Sequence, residues 1–335
     1  MSLLLTGSSG FVGQAVVSLA TERRLNVREV VRTKAGAQRA NQRETQTSRF
    51  WVDAINGATD WEGAFEGIDC VVHCAARVHH MHETEADALA AYRSINTEGS
   101  RHLAQQAAAA GVKRFVFISS IKVNGEATPP NQPFYADDKP NPQDPYGVSK
   151  YEAEQVLFDI AQQTGLEVVV IRPPLVYGPG VKANFLTMMK WTKRRIPLPL
   201  GAIYNRRSMV YVDNLADLIL TCCIHPNAAG HVFLASDNDD VSTTRLLKTV
   251  AQAMRRRAYL LPIPAWLLTR MAQLVNKPQL SQRLCGDLQV DIHKTMGQLN
   301  WQPRYSVEQG IAKTVSDYLA KKSHLAKKPY LTKKP

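Results

Sequence analysis

The stretch that most constrains this 335-residue chain is its start, LLLTGSSGFVGQAVVSLA. Leu3 to Leu5 form a short apolar run. Glycines follow at positions 7, 10 and 13, and apolar residues continue at Phe11, Val12, Ala15, Val16 and Leu19 with helical spacing. A buried strand, a glycine-rich turn and a helix are therefore expected in that order. That context suits a dinucleotide. Gly7 permits the tight turn, Gly10 lets the backbone approach a pyrophosphate, and Gly13 lets the helix pack on the strand. The helix N-terminus stabilises the anion. Taken alone, the stretch also reads as a plain strand-to-helix turn.

Strands and helices continue to alternate. NVREVVR reads as a second strand ending at Arg32. In NAD-selective sites an acidic residue commonly stands here and holds the ribose 2′-hydroxyl. This chain has Arg32, Thr33 and Lys34 instead, and a guanidinium suits a 2′-phosphate. NADPH is therefore expected over NADH, with NAD possible; the alternatives for Arg32 are stacking on an adenine or plain solvent exposure. SRFWVDA reads as a third strand, ending at Asp53 and Ala54, where the carboxylate can meet an adenine amino group. In CVVHCAAR, the fourth strand, Cys74 is followed by the small Ala75 and Ala76, which let a cofactor lie close. His79, His80 and His82 follow, but without Cys or carboxylate at ligand spacing. They read as a polar loop at the rim of a site, and no metal is expected. Asn96 falls in the next helix. RFVFIS is a fifth strand with Ser119 and Ser120 at its C-terminal end, where ligands of open parallel sheets sit. The fold class expected is α/β, a doubly wound parallel sheet of the Rossmann type.

Composition narrows the setting. A hydrophobic content of 44% and a charged content of 21% are those of an ordinary globular protein. The net charge of +12 invites a nucleic-acid reading, but the last fifteen residues hold six Lys and no acid. The body is read as only mildly basic, the tail as disordered, and no specific nucleic-acid partner is expected. The five Cys fit neither a zinc site nor a disulfide framework, and no secretory leader precedes the first strand, so a reducing cytoplasm is expected. PIPAWLLTRMAQLV (262–275) is apolar and helical in period but too short to span a bilayer. Core or oligomer packing is expected of it, with peripheral membrane contact as the alternative.

Tyr146 and Lys150, in YGVSK, stand four residues apart at the start of a helical run, on one face of the helix. An ammonium so close favours the phenolate, so the Tyr146 pKa is expected to fall below its usual value. Such a phenol can exchange a proton with a hydroxyl or carbonyl. By themselves the two residues also read as a surface pair, and Ser120 as a turn former.

In combination and order, TGxxGFxG, Asp53, VVHCAA, Asn96, ISSxxVxG and YGVSK resemble the extended short-chain dehydrogenase/reductase family, the NAD-dependent epimerases and dehydratases of nucleotide sugars. The resemblance covers residues 2–320. It implies that Tyr146 is the acid/base, that Lys150 lowers its pKa and binds the nicotinamide ribose, and that Ser120 orients the substrate C4 oxygen. It further implies cofactor contacts at Gly7, Gly10, Phe11, Val12, Gly13 and Asp53, with Asn96 supporting the site. RPPLVYGPGVKANF is similar to a family segment that places Asn184 and Phe185 beside the nucleotide diphosphate. Leu198, in LPLG, matches the strand beside the nucleobase, Arg207 matches the Arg that clamps the diphosphate, and Arg283 is a further phosphate candidate.

The implied organisation is a cofactor domain over 1–172 with a return segment near 207–235, a sugar-nucleotide lobe from 173–206 and 236–320, and a basic tail over 321–335. A homodimer is implied as well. Family dehydratases carry an acidic pair after the Ser position; Ile121 and Lys122 stand there, so dehydration is not expected. The leading expectation is NADPH-dependent reduction at C4 of a UDP-4-keto-6-deoxy-N-acetylhexosamine in surface-polysaccharide (lipopolysaccharide, O-antigen) assembly. The alternative is a UDP-hexose or UDP-N-acetylhexosamine 4-epimerase. A non-catalytic NADP sensor is disfavoured by the intact Ser120, Tyr146 and Lys150.

Overall fold

A computed structural model describes residues 1–32, 47–78, 85–274 and 278–326; the side chains of 47, 85–87, 183–184, 278–280 and 322–326 lie outside that description. His79, His80 and His82, Thr33 and Lys34 are likewise outside the described residues.

The apolar run at the N-terminus is β1 (Ser2–Thr6), followed by α1 (Phe11–Glu22), β2 (Asn26–Arg32), β3 (Thr47–Val52) and β4 (Cys70–His73). Then come α2 (Glu85–Tyr92), a π-helical turn (Arg93–Glu98), α3 (Gly99–Ala109) and β5 (Arg114–Ile118). The segment α4 (Pro145–Thr164) is followed by β6 (Glu167–Arg172), β7 (Leu175–Tyr177), α5 (Ala183–Arg194), β8 (Met209–Tyr211), α6 (Val212–Ile224) and β9 (Val232–Leu234). The chain closes with α7 (Thr243–Ala253), α8 (Ala265–Leu274), α9 (Pro278–Cys285), α10 (His293–Leu299) and α11 (Val307–Ala326). The last helix thus runs six residues into the basic segment, and 327–335 lie outside the described residues.

Among the described residues, seven strands form one parallel sheet in the order β3-β2-β1-β4-β5-β6-β9. Strands buried on both faces need unbroken apolar runs, which β1, β4 and β5 supply. Alternate side chains serve opposite layers. Leu3, Leu5, Val72 and Val116 pack with Val16 and Val17 of α1 and Leu215 and Ile219 of α6. Leu4, Val71, Phe115 and Phe117 pack with Leu103 and Ala107 of α3 and Ala153 and Leu157 of α4.

The order of strands reverses between β1 and β4, and such switch points leave a crevice at the C-terminal ends of the strands. A smaller lobe stands beyond it. Its two-stranded sheet, β7 and β8, packs with α5, α7 and α11 around Tyr177, Phe185, Tyr211, Val250 and Ile311. A second small core, Leu198, Leu200, Ile203 and Leu247, lies under α8 and α9.

Candidate active site

The glycine turn is built by close approaches. Gly7 sits at φ +72°, and a Cβ there would lie 2.7 Å from the Ala75 nitrogen. A Cβ on Gly13 would lie 2.1 Å from the Gly7 carbonyl oxygen, so only glycine lets α1 start this near β1. Gly10 is the N-cap of α1 without a capping side chain, and the first helical turn holds no acid. Phe11 and Val12 open that turn, half-buried. Its amides and helix dipole face the crevice as an anion site. Ser8 is buried, and its hydroxyl makes no hydrogen bond among the described residues. A pyrophosphate fits this cradle on three counts: close-packed glycines, an uncapped helix start and a buried hydroxyl ready to donate.

The other wall is the exit of β4. There the Ala75 N–H donates to Thr6 Oγ1 at 3.3 Å, and Thr6 Oγ1 lies 2.6 Å from His73 Nδ1. His73 Nε2 lies 2.9 Å from Ser100 Oγ, which donates to the Asn96 carbonyl at 2.6 Å. Because Ser100 spends its proton on Asn96, His73 must donate from Nε2 and accept at Nδ1 from Thr6. Burial, with the nearby Lys150 charge adding to it, lowers the His73 pKa to about 3, so the ring is neutral. Asn96 lies in the π-helical turn and is buried. Its Oδ1 accepts from the Arg77 N–H at 2.8 Å, and its Nδ2 donates to the Arg77 carbonyl at 3.2 Å and to Ser149 Oγ at 3.0 Å. Ser149 donates in turn to the Tyr146 carbonyl at 2.8 Å. One amide therefore ties the strand exit, where Cys74, Ala75 and Ala76 line the crevice half-buried, to the turn that carries Tyr146.

Helix α4 starts where its sequence dictates. Asp144 caps it, accepting from the Gly147 N–H at 2.7 Å, Pro145 stands in the first turn, and Gly165 ends it in the left-handed conformation. Tyr146 meets Tyr92 edge-on, with centroids 5.9 Å apart. Lys150 is buried, its ammonium 3.9 Å from the Phe117 ring centroid. Ser120, two residues past β5, caps the following turn by accepting from the Lys122 N–H at 3.2 Å.

The expected acidic phenol is not what this geometry produces. Burial raises the Tyr146 pKa above its ordinary value, and the Asp144 and Tyr92 charges raise it further. Burial lowers Lys150 to about 7, against a smaller upward pull from Glu154 and Cys74. Cys74 itself is pushed up to about 12, chiefly by burial. Helical spacing reports a neighbouring charge, but desolvation is the largest cause of the shift for both groups.

Arg32 closes β2, exposed, with Val52 opposite it in register, so Asp53 and Ala54, also exposed, follow beside it. Across the crevice Arg207 is half-buried, its guanidinium donating to the Gly286 carbonyl at 3.1 Å. Its pKa is lowered first by burial; Asp287 opposes this and the charge of Arg283 adds to it. Two cations from distant parts of the chain thus lie close enough for one to depress the pKa of the other.

The Epimerase model, described as the NAD dependent epimerase/dehydratase family, matches residues 3–235. The chain belongs to this family. A UDP-glucose 4-epimerase of Vibrio cholerae is 44% identical over 319 residues, which cover 95% of each chain. In fold, the chain is similar to a UDP-glucose 4-epimerase of Thermotoga maritima solved with UDP-glucose, with a TM-score of 0.74, 23% identity and coverage of 96% of this chain and 99% of that one. It is similar too to a UDP-glucuronic acid 4-epimerase of Bacillus cereus in complex with NAD, with a TM-score of 0.75, 19% identity and coverage of 95% and 96%. As a member of this family the protein is an enzyme with a Rossmann-like cofactor domain.

Two expected substrate residues have their side chains in the core. The Phe185 ring is buried and stacks on Tyr177 at 5.5 Å, so it belongs to the core of the smaller lobe. Leu198 is buried too, and both its backbone groups are engaged, with Tyr259 and Leu261. Asn184 lies on α5, its side chain outside the described residues. Motif reading also missed a buried cluster behind Ser120. Glu154 accepts from Ser119 Oγ and from Arg172, whose Nη2 lies 2.5 Å from Oε2. Arg172 donates to Asn124 at 2.9 Å. A Glu four residues after Lys150 was its available signal. Beyond Ser120, Ile121 is buried and Lys122 is ion-paired with Glu126 and Asp144, so that turn offers no acid for elimination.

Proposed function

We propose that this enzyme interconverts UDP-hexoses or UDP-N-acetylhexosamines at C4, using NAD. The observation that carries this is the 44% identity, across 95% of both chains, to the Vibrio cholerae UDP-glucose 4-epimerase. The 4-keto reductase, the leading expectation from the sequence, has no comparable support. NAD is preferred to NADPH because an epimerase returns the hydrogen it takes, and because the Bacillus cereus 4-epimerase of like fold holds NAD.

The chemistry NAD supplies when bound is reversible acceptance of the C4 hydrogen as hydride. Tyr146 accepts the proton of the C4 hydroxyl as C4 becomes a ketone, and returns it when the alcohol re-forms. Ser120 holds the same oxygen. A charged Lys150 favours the phenolate form of Tyr146, while burial of both keeps that form scarce until substrate is in place. For the hydrogen to return to the opposite face, the 4-keto sugar turns over while Arg207 and Arg283 keep the diphosphate.

The test is incubation with UDP-glucose and, in parallel, UDP-N-acetylglucosamine in the presence of NAD, followed by proton NMR of the sugar. A mixture of C4 epimers without net cofactor consumption is expected. Stoichiometric loss of NADPH on a UDP-4-keto-6-deoxy-N-acetylhexosamine, with no epimer interconversion, would assign the reductase instead. Tyr146→Phe should still bind both nucleotides and fail to turn over.

A further inference from the structure

Helix α8 contributes no buried residue to the fold. Ala265 and Leu268 rest on the small core under it, while Trp266, Met271 and Leu274 point outward, 61%, 55% and 87% exposed. Tyr259 and Leu261, which lead into the helix, are exposed as well, and so is Ile196, two residues before the bridge from Leu198 to Leu260. Single exposed apolar residues are normal, but six in the two segments that meet over one small core mark a docking surface. No helix among the described residues is long and apolar enough to cross a membrane, and α8 has only ten residues.

The chain segments that carry this strip hold charge of one sign. Residues 173–212 and 241–286 together hold fifteen Lys and Arg and no Asp or Glu. The body as a whole is only mildly basic, and its basic excess is concentrated in this lobe. Arg194 and Arg195 precede Ile196, and Arg255, Arg256 and Arg257 precede Tyr259. Arg270 lies 5.7 Å from the Trp266 ring centroid. Arg256 donates to the Lys193 carbonyl at 2.7 Å. Among the described residues no carboxylate pairs with Arg194, Arg195, Arg255, Arg257 or Arg270.

We propose that this strip docks on an anionic phospholipid surface, with Trp266, Met271 and Leu274 entering the headgroup region and the arginines meeting lipid phosphate. A helix with Trp, Leu and Met outward, flanked only by cations, matches the in-plane mode of peripheral binding. The occupant is chosen by charge complementarity, and the docking does not depend on which sugar is turned over. Helix α9, which carries Arg283, packs on α8, so the diphosphate side of the crevice lies on the docked lobe.

The experiment is co-sedimentation of the full chain with vesicles of phosphatidylcholine alone and of phosphatidylcholine mixed with phosphatidylglycerol. Binding to the anionic vesicles only, weakened by salt, is expected, together with a blue shift of tryptophan emission that the Trp266→Phe variant lacks. The combined Trp266→Ser, Met271→Ser and Leu274→Ser variant should bind about tenfold more weakly or worse, with an unchanged circular dichroism melt. A variant with Lys327, Lys328, Lys333 and Lys334 changed to Ser should bind much as the parent does. The proposal is overturned by absence of binding, by binding that survives the strip substitutions but is lost with the tail lysines, or by a strip variant that dissociates a dimer in sedimentation velocity while vesicles are ignored.

Discussion

The Lys150 ammonium is held 3.9 Å from the Phe117 ring, in the layer between β5 and α4 rather than in water. Its pKa of about 7 records what that burial costs, at about 1.4 kcal/mol for each tenfold change in proton affinity. Because the folded value lies below the unfolded one, the unfolded chain binds the extra proton between the two. The stability contribution is whole above the unfolded pKa and is lost as pH falls toward 7. The ligand-free protein should therefore gain thermal stability through this group as pH rises from 7 to 9, and Lys150→Met should flatten that rise while melting higher at pH 7. Turnover should drop at least about a hundredfold. Melting curves at several pH values, set beside kcat, check this; a Lys150→Met protein less stable at pH 7 would contradict it.

Asn96→Ala should strike two places at once. The amide serves the Arg77 N–H and carbonyl and Ser149 Oγ, and the loss leaves buried partners unsatisfied, at about 1–3 kcal/mol for each uncompensated group. Both the exit of β4 and the turn of Tyr146 loosen, so a lower Tm should come with a higher KM for NAD and a lower kcat. Asn96→Asp keeps the acceptor for Arg77 but not the donors, and should fall between. Equal kinetic constants in the two variants and the parent would reduce Asn96 to a structural residue.

What could be read in advance divides along a physical line. Gly7 and Gly13 were legible because only one residue type tolerates those approaches, and Ser120, Tyr146 and Lys150 stood out as candidates because of their order and helical spacing. His73 was not. It stands inside an apolar strand, and its partners Thr6 and Ser100 are 67 and 27 residues away. The π-helical turn at Asn96 was hidden because its wider winding leaves no mark on apolar periodicity. The phenol of Tyr146 was misjudged because spacing reports a neighbouring charge but not depth. Phe185 and Leu198 turn their side chains to the core, a choice that motif alignment does not resolve.

Arg207→Gln should weaken UDP-sugar binding selectively. A lost charge-assisted contact to a phosphate is about 1.5–3 kcal/mol, or roughly ten- to a hundredfold in KM. The KM for NAD should stay near that of the parent, since the glycine turn is across the crevice. Arg283→Gln should weaken UDP-sugar binding less, because its side chain is exposed. Titration calorimetry with UDP separates the two sites. A larger effect at Arg283 than at Arg207 would reverse the assignment of the main clamp.

Glu154 and Arg172 form an ion pair with both side chains at most 4% exposed. Removing one partner strands the other, so Glu154→Gln and Arg172→Met should each cost about 3–5 kcal/mol. The double change Glu154→Leu with Arg172→Leu removes both charges and should recover much of that loss in urea unfolding. Stability is only half the matter, because Glu154 also draws the Lys150 pKa upward and anchors Ser119 beside Ser120. In the double variant, Lys150 should lose its proton at a lower pH, and the kcat profile should shift to lower pH with it. A double variant that recovers stability while keeping the parental pH profile would leave the pair a purely structural role.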